Sequence, residues 1–148
     1  MSGRALAMTS RRADVIVDSD ALIALFNPRD AHAAEAMDLL QFIESNNLTL
    51  LYPVTTIVET VTAFQRKLSL PKQAWTLIDF LRERQIPIEP VDQSLIFEAV
   101  TFLRREGSKK NTLFDAVVAA LAKRHGAYVF SFDQWYEKLG LPMLRSSM

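Results

Sequence analysis

Two kinds of segment, told apart by how apolar and polar positions are arranged, alternate along this chain. Val15-Ile16-Val17 is a short run of β-branched residues, the composition of a strand buried on both faces of a parallel sheet. Further runs of this kind lie at Leu48 to Tyr52, Ile86 to Val91 and Tyr128 to Phe132. Between them the apolar residues recur at helical spacing. Residues 20–26 form one helical stretch, and Ala31 to Glu44 forms another with Ala33, Ala36, Met37, Leu40 and Ile43 along its stripe. Ile57, Val61, Phe64 and Leu68 mark a helix that stops before Pro71, and Pro71 opens the next, with Ala74, Leu77, Ile78 and Leu81 inward. Asp92 is placed to cap a helix carrying Leu95, Ala99, Phe102 and Leu103, which ends near Gly107. After the polar loop Gly107 to Asn111, a last long helix runs from Thr112 to His125 and closes at Gly126.

Strands separated by crossover helices predict an α/β fold, a three-layer α/β/α sandwich with a mainly parallel sheet. A length of 148 residues suits one core. The expected organisation is a disordered leader over 1–12 followed by a single domain over 13–148. In such sheets, ligands gather beyond the carboxyl ends of the strands.

Composition narrows the chemistry. The chain has no cysteine, which excludes disulfides, thiolate zinc sites and a cysteine nucleophile. Its 17 basic and 17 acidic side chains cancel, so a protein coated in positive charge for polyanions is excluded, though a local basic patch is not. No apolar run reaches the roughly 18–20 residues of a membrane span, and the leader is too weakly apolar for a signal peptide. The compartment expected from this is the cytoplasm.

Carboxylates stand where the fold would place a ligand. The first strand runs into Asp18-Ser19-Asp20 and the last into Ser131-Phe132-Asp133, so both deliver acids to one edge if they are neighbours. Each also reads as a helix cap. Asp115 shares a helix face with Val118, Ala119 and Ala122, where a carboxylate is costly without a cation or a hydrogen-bond network. Thr112 and Asp115 equally have capping-box spacing. Thr56 and Glu59 repeat that spacing, and Glu59 shares a face with Thr62 and Arg66, which by itself describes a solvated helix. Asp79 and Glu98 face Arg82 and Arg105 at helical spacing and read as surface acids. His32 and His125 lie at helix ends with no zinc-binding spacing. Clustered acids without histidine or cysteine suit Mg²⁺ or Mn²⁺, ions that orient a phosphodiester and activate a water.

Four segments together resemble PIN-domain ribonucleases, most closely the VapC-type toxins of bacterial toxin–antitoxin pairs. They are Val15-Ile16-Val17-Asp18-Ser19-Asp20-Ala21-Leu22-Ile23-Ala24-Leu25, Thr55-Thr56-Ile57-Val58-Glu59, Leu113-Phe114-Asp115-Ala116-Val117-Val118-Ala119-Ala120-Leu121-Ala122, and Gly126-Ala127-Tyr128-Val129-Phe130-Ser131-Phe132-Asp133. The resemblance spans about residues 14–143. It implies a metal-dependent endoribonuclease with Asp18, Glu59, Asp115 and Asp133 as catalytic acids. Asp18, Asp115 and Asp133 would be the main metal carboxylates, and Glu59 would hold a water or a second ion. Asp20, where the pattern often has a smaller polar residue, reads as an extra ligand. Ser131 matches the hydroxyl residue of the last motif, whereas Phe132 replaces a residue that is commonly polar. Basic residues outside an acidic pocket must hold flanking phosphates, and Arg104, Arg105, Lys109 and Lys110 are the densest run.

The partners implied are RNA, a cognate antitoxin and a second copy of the chain. Phe26, Phe42, Trp75 and Phe80 exceed what one core stripe needs and would be covered by such partners or by the core itself. Two alternatives stay open. One is a non-catalytic binding module on the same fold. The other is a haloacid-dehalogenase-type phosphatase, whose D-x-D signature Asp18-Ser19-Asp20 is similar to. However, Ala21 and Leu22 stand where that family has Thr or Val, and no lysine ends an evident strand.

Overall fold

A computed structural model describes residues 12–145, so most of the expected leader lies outside the described residues. Four short strands form one parallel sheet: β1 (Val15–Val17), β2 (Leu50–Pro53), β3 (Ile88–Glu89) and β4 (Tyr128–Phe130). The helices are α1 (Ser19–Phe26), α2 (Ala33–Ser45), α3 (Val54–Thr62), α4 (Pro71–Glu83), α5 (Gln93–Glu106), α6 (Leu113–His125) and α7 (Trp135–Lys138). The strand order is β3-β2-β1-β4, which makes the first and last strands neighbours. Val15, Ile16 and Val17 pair with Tyr128, Val129 and Phe130. The α/β/α sandwich expected from the alternation of patterns is what forms.

Period-two alternation in the strands divides the interior into two layers. Ile16 and Val129 face a cluster with α5, α6 and α7, while Val15, Val17 and Phe130 face one with α1, α2 and α4. Every residue from Ala116 to Ala122 is buried, so α6 is a core helix rather than an amphipathic one. The strands are shorter than the apolar runs, and β4 stops at Phe130. There the Ser131 hydroxyl oxygen accepts the Asp133 N–H at 3.1 Å and the chain turns out of the ladder. The buried stripe of α2 is Ala36, Leu39 and Ile43; Met37 is exposed and Leu40 only half-buried.

The helix expected to run unbroken to Leu68 changes character. After Thr62 it widens into a π-helical turn over Ala63–Lys67, in which the Leu68 N–H donates to the Ala63 carbonyl, five residues back, at 2.9 Å. A π turn advances fewer degrees per residue, so Phe64 stays in the core and Leu68 leaves it. Of the four aromatics singled out above, Phe26 and Phe80 pack edge-on at 5.4 Å against the core and Phe42 joins them there. Of these four only Trp75 is left largely outside, at 50% exposure, and among the described residues the most exposed large apolar side chain is Phe97, at 63%. Glu98 pairs across the helix interface with Arg124 of α6 rather than with Arg105. No helix among the described residues is long and apolar enough to cross a membrane.

The end of α5 governs the loop that leads back to the sheet edge. Gly107 ends the helix, and the Trp135 indole N–H donates to the Glu106 carbonyl, which ties this corner to α7. A Cβ at Gly107 would stand 2.4 Å from the Leu103 carbonyl oxygen, a distance the backbone must open to relieve. Gly107→Ala is therefore expected to cost about 1–3 kcal/mol, or roughly 3–10 °C in Tm for a chain of this length. Thermal melts followed by circular dichroism check this, and an unchanged Tm would show that the corner relaxes freely.

Candidate metal centre

The pairing of β1 with β4 decides where the acids go. Asp18 follows the last residue of β1, and its backbone N–H still donates to Phe130 of β4 at 3.0 Å. Ser131 consequently stands beside it. Asp18 is 3% exposed, and its carboxylate is held from three directions. The Ser19 N–H donates to Oδ1 at 2.8 Å as a helix cap, the Tyr136 hydroxyl donates to Oδ2 at 2.8 Å, and the Ser131 hydroxyl lies 3.0 Å from Oδ2. Burial pushes the Asp18 carboxyl well above its ordinary range, the charges of Asp20 and Asp115 push it further, and the hydrogen bonds from Tyr136 and Ser19 only partly oppose them. Burial also raises the Tyr136 phenol, as does the Asp18 charge, so that group stays a donor.

Glu59 arrives by a different route. α3 begins directly after Pro53, so Thr56 lies inside its first turn and forms no capping box with Glu59. Its buried hydroxyl instead donates to the Val17 carbonyl at 3.0 Å, docking α3 on the end of β1 and setting Glu59 above Asp18. The Thr60 hydroxyl back-bonds to Thr56 at 2.7 Å along the same helix face. Glu59 is partly buried, and that burial raises its pKa. A Ser19 hydrogen bond opposes the shift, whereas Asp115 and Asp20 reinforce it.

Asp115 serves in a helix cap and also lies among the other acids. The capping box with Thr112 forms, the Thr112 N–H donating to Asp115 Oδ2 at 3.0 Å. The same carboxylate also faces the site. Oxygen atoms of Asp18, Glu59 and Asp115 all lie within 4.8 Å of one another. Burial raises the Asp115 carboxyl, against the hydrogen bonds from Thr112 and Asn111.

Asp133 and Asp20 flank this trio. Asp133 Oδ1 accepts the Trp135 N–H at 3.0 Å, while Oδ2 accepts the Asn111 amide at 2.8 Å and lies 3.9 Å from Lys110 Nζ. The same Asn111 amide reaches Asp115 at 3.2 Å, so one NH₂ group bridges the two aspartates. Asp20 Oδ2 accepts the Phe132 N–H at 2.9 Å and lies 3.1 Å from the Ser131 hydroxyl. Asp20 Oδ1 is buried without a hydrogen-bond partner among the described residues, and burial raises the carboxyl. Asn111 and Tyr136 are the site residues that sequence reasoning missed. Nothing in the loop composition marks Asn111, and Tyr136 follows Asp133 at a distance that only the turn into α7 makes meaningful.

The donor set is all oxygen and doubly suited to a hard divalent cation: three carboxylates converge, and a fourth offers a buried unpaired oxygen. Neither histidine belongs to this cluster of acids, although His32 lines the adjoining cleft. His125 Nδ1 accepts the Ala13 N–H at 2.9 Å, and the His32 ring stacks on Phe132 with centroids 4.2 Å apart. Of the basic run, Lys110 reaches the site, whereas Arg105 lies over the Phe102 ring at 5.3 Å and Arg104 and Lys109 are exposed. A cleft of about 670 Å³ opens from Asp20 and Glu59 between α1 and the π-helical turn.

A raised carboxyl pKa means that the folded chain binds more protons than the unfolded one, so stability falls as pH rises through that range. Metal-free Asp18→Asn is therefore expected to melt above the wild-type chain at pH 8, with the difference shrinking as pH is lowered toward the ordinary carboxylate range. Each kcal/mol relieved corresponds to about 2–4 °C. A variant less stable than wild type in EDTA at every pH would show instead that the Ser131 and Tyr136 bonds outweigh the burial cost.

A family model described as PIN domain matches residues 15–140. No curated protein matches the sequence. Among solved structures, the chain is similar to Mycobacterium tuberculosis VapC20, described as a sarcin-ricin loop cleaving toxin. The TM-score is 0.72 at 19% identity, over 86% of this chain and 96% of that one. Rickettsia felis VapBC2, solved bound to a DNA fragment from its promoter, gives a TM-score of 0.64 at 14% identity, over 87% and 96%. FitAcB from Neisseria gonorrhoeae gives 0.56 at 16%, over 90% and 98%. At these identities the likeness is one of fold.

Proposed function

The chain belongs to the PIN domain family, and from that premise we propose that it is a Mg²⁺- or Mn²⁺-dependent endoribonuclease, the toxin of a toxin–antitoxin pair. The observation that carries this reading is the convergence of Asp18, Glu59 and Asp115 from three separate elements to within 4.8 Å. These residues would hold the cation, with Asp133 and Asp20 at its margin. When bound, the ion supplies positive charge toward the phosphodiester and its leaving oxygen.

The chain's own groups supply the rest. Tyr136 and Ser131 fix the Asp18 carboxylate, and Asn111 fixes Asp115 relative to Asp133. Glu59 lines the open cleft, placed to orient an attacking water. Lys110, the member of the basic run that reaches the site, stands at the rim beside Asp133, placed for a flanking phosphate. The likeness to VapBC2 and FitAcB supports an antitoxin as partner. The exposed Phe97, Val58 and Trp75 supply apolar surface for it or for a second copy of the chain. The phosphatase alternative loses its support, since Asp20 is engaged with the Phe132 backbone and the family is a different one.

Incubation with RNA and Mn²⁺ is expected to give cleavage that EDTA abolishes, with no turnover of p-nitrophenyl phosphate. Asp18→Asn, Glu59→Gln and Asp115→Asn should each lower the rate at least about 100-fold, and Tyr136→Phe and Asn111→Ala by roughly 10–100-fold. Asp79→Asn should change little. Mn²⁺ at a hundredfold excess over its Kd should stabilise the wild-type chain by about 2.7 kcal/mol, and Asp115→Asn should lose most of that gain. Metal binding without RNA cleavage would select the non-catalytic module instead.

A further inference from the structure

The loop between α5 and α6 reaches the acidic site without main-chain support. Among the described residues, 108–111 make no hydrogen bond from one main-chain group to another. Gly107 has already ended α5, and α6 begins only after Thr112. What fixes the loop is a reciprocal pair of bonds between Ser108 and Asn111. The Ser108 hydroxyl donates to Asn111 Oδ1 at 2.6 Å, and its oxygen accepts the Asn111 N–H at 3.1 Å. Ser108 is exposed, whereas Asn111 is buried.

Chemistry settles which way the Asn111 amide points. Ionised carboxylates only accept, so the group between Asp115 Oδ2, 3.2 Å away, and Asp133 Oδ2, 2.8 Å away, is the NH₂. Oδ1 is thereby turned toward Ser108, and a carbonyl oxygen taken out of water needs a donor there. Without that donor the carbonyl is left unpaired, and the side chain gains by rotating toward water. Such a rotation takes the NH₂ off one aspartate or both. Lys110, whose side chain is 79% exposed and 3.9 Å from Asp133, is too loosely placed to substitute for it.

We propose that Ser108 is a positioning residue of the acidic site: its hydroxyl locks the Asn111 amide as the brace that holds Asp115 and Asp133 at a fixed spacing for the cation. This role rests on the metal-centre reading and adds to it a residue that bonds to neither carboxylate. Donors placed one step behind the ligands set how closely those ligands keep their binding geometry. The exposed hydroxyl is the outermost member of a chain of bonds that runs from Ser108 through Asn111 to both aspartates.

The test compares the native chain with Ser108→Ala, Ser108→Thr, Asn111→Ala and the double variant of Ser108→Ala with Asn111→Ala. Calorimetric titration gives the Kd for Mn²⁺, and ¹⁵N–¹H spectra with Mg²⁺ follow the Asn111 side-chain amide. Ser108→Ala should raise the Kd roughly tenfold, shift the Asn111 NH₂ resonances and speed their exchange with water. Ser108→Thr keeps the hydroxyl and should restore both readouts, the Kd to within about twofold. In the Asn111→Ala background, Ser108→Ala should add less than about twofold, because its effect passes through Asn111. Either an unchanged Kd or unchanged Asn111 resonances in Ser108→Ala, with Mn²⁺ still bound by the native chain, would overturn the role of Ser108 and leave the metal centre standing. So would a loss that Ser108→Thr fails to restore, or one that persists in full without Asn111. No Mn²⁺ binding by the native chain would overturn the metal centre and the role of Ser108 with it.

Discussion

A carboxylate buried at the end of the central strand is the constraint to which the rest of the structure answers. Removing a charge from water without partners costs several kcal/mol, so Asp18 is surrounded by donors from elements far apart in the chain. Ser131 comes from the turn after β4, Tyr136 from α7 and the Ser19 N–H from the start of α1. Each of those donors is itself fixed by a neighbour. The Ser131 hydroxyl receives the Asp133 N–H, and α7 is anchored through the Trp135 indole on the last carbonyl of α5. The donors do not neutralise the site. Asp18, Asp20, Glu59 and Asp115 all retain raised pKa values, burial being the largest cause in each. A fold that keeps four such groups together has stability stored against it, and a divalent cation is the simplest species that would relieve them.

Structural and functional roles are not rivals at this site. Asp18 caps α1 and also converges with Glu59 and Asp115; Asp115 completes a capping box and belongs to the same cluster. A helix N-terminus places backbone N–H groups and a positive dipole end beside the carboxylate, which offsets part of the cost of crowding acids. Building the centre from caps therefore makes use of side chains that the helices already require. Glu59 is the exception. Its helix starts too early for Thr56 to cap it, and Thr56 instead secures α3 to the Val17 carbonyl. That leaves Glu59 the freest of the three converging carboxylates, on the side where the cleft opens.

The chain's alternation of β-branched runs and helical stripes carried the architecture, because burial on both faces of a parallel strand leaves an unbroken apolar run, whereas burial on one face of a helix leaves a period of 3.6 in the residues themselves. Strand ends were less legible. Ile86 to Val91 reads as six strand residues and yields two, since Pro87 and Pro90 limit the ladder to Ile88 and Glu89. The π-helical turn left no trace at all in the stripe of Ile57, Val61, Phe64 and Leu68, which fits an ordinary helix equally well.

By itself the sequence determined the layer order, the parallel sheet, the all-oxygen character of the candidate site and most of its acids, since each is a local property of residue type and spacing. Only the tertiary structure decided that β1 and β4 are neighbours, that Asn111 bridges Asp115 and Asp133, that Tyr136 reaches Asp18 across 118 positions, and that Arg66 and Lys67, not Arg104 and Arg105, line the open cleft. Those relations depend on which surfaces are pressed together when the apolar layers close. A polar side chain shows its residue type wherever it stands, but it acquires a partner only when packing elsewhere brings two distant segments within hydrogen-bond reach.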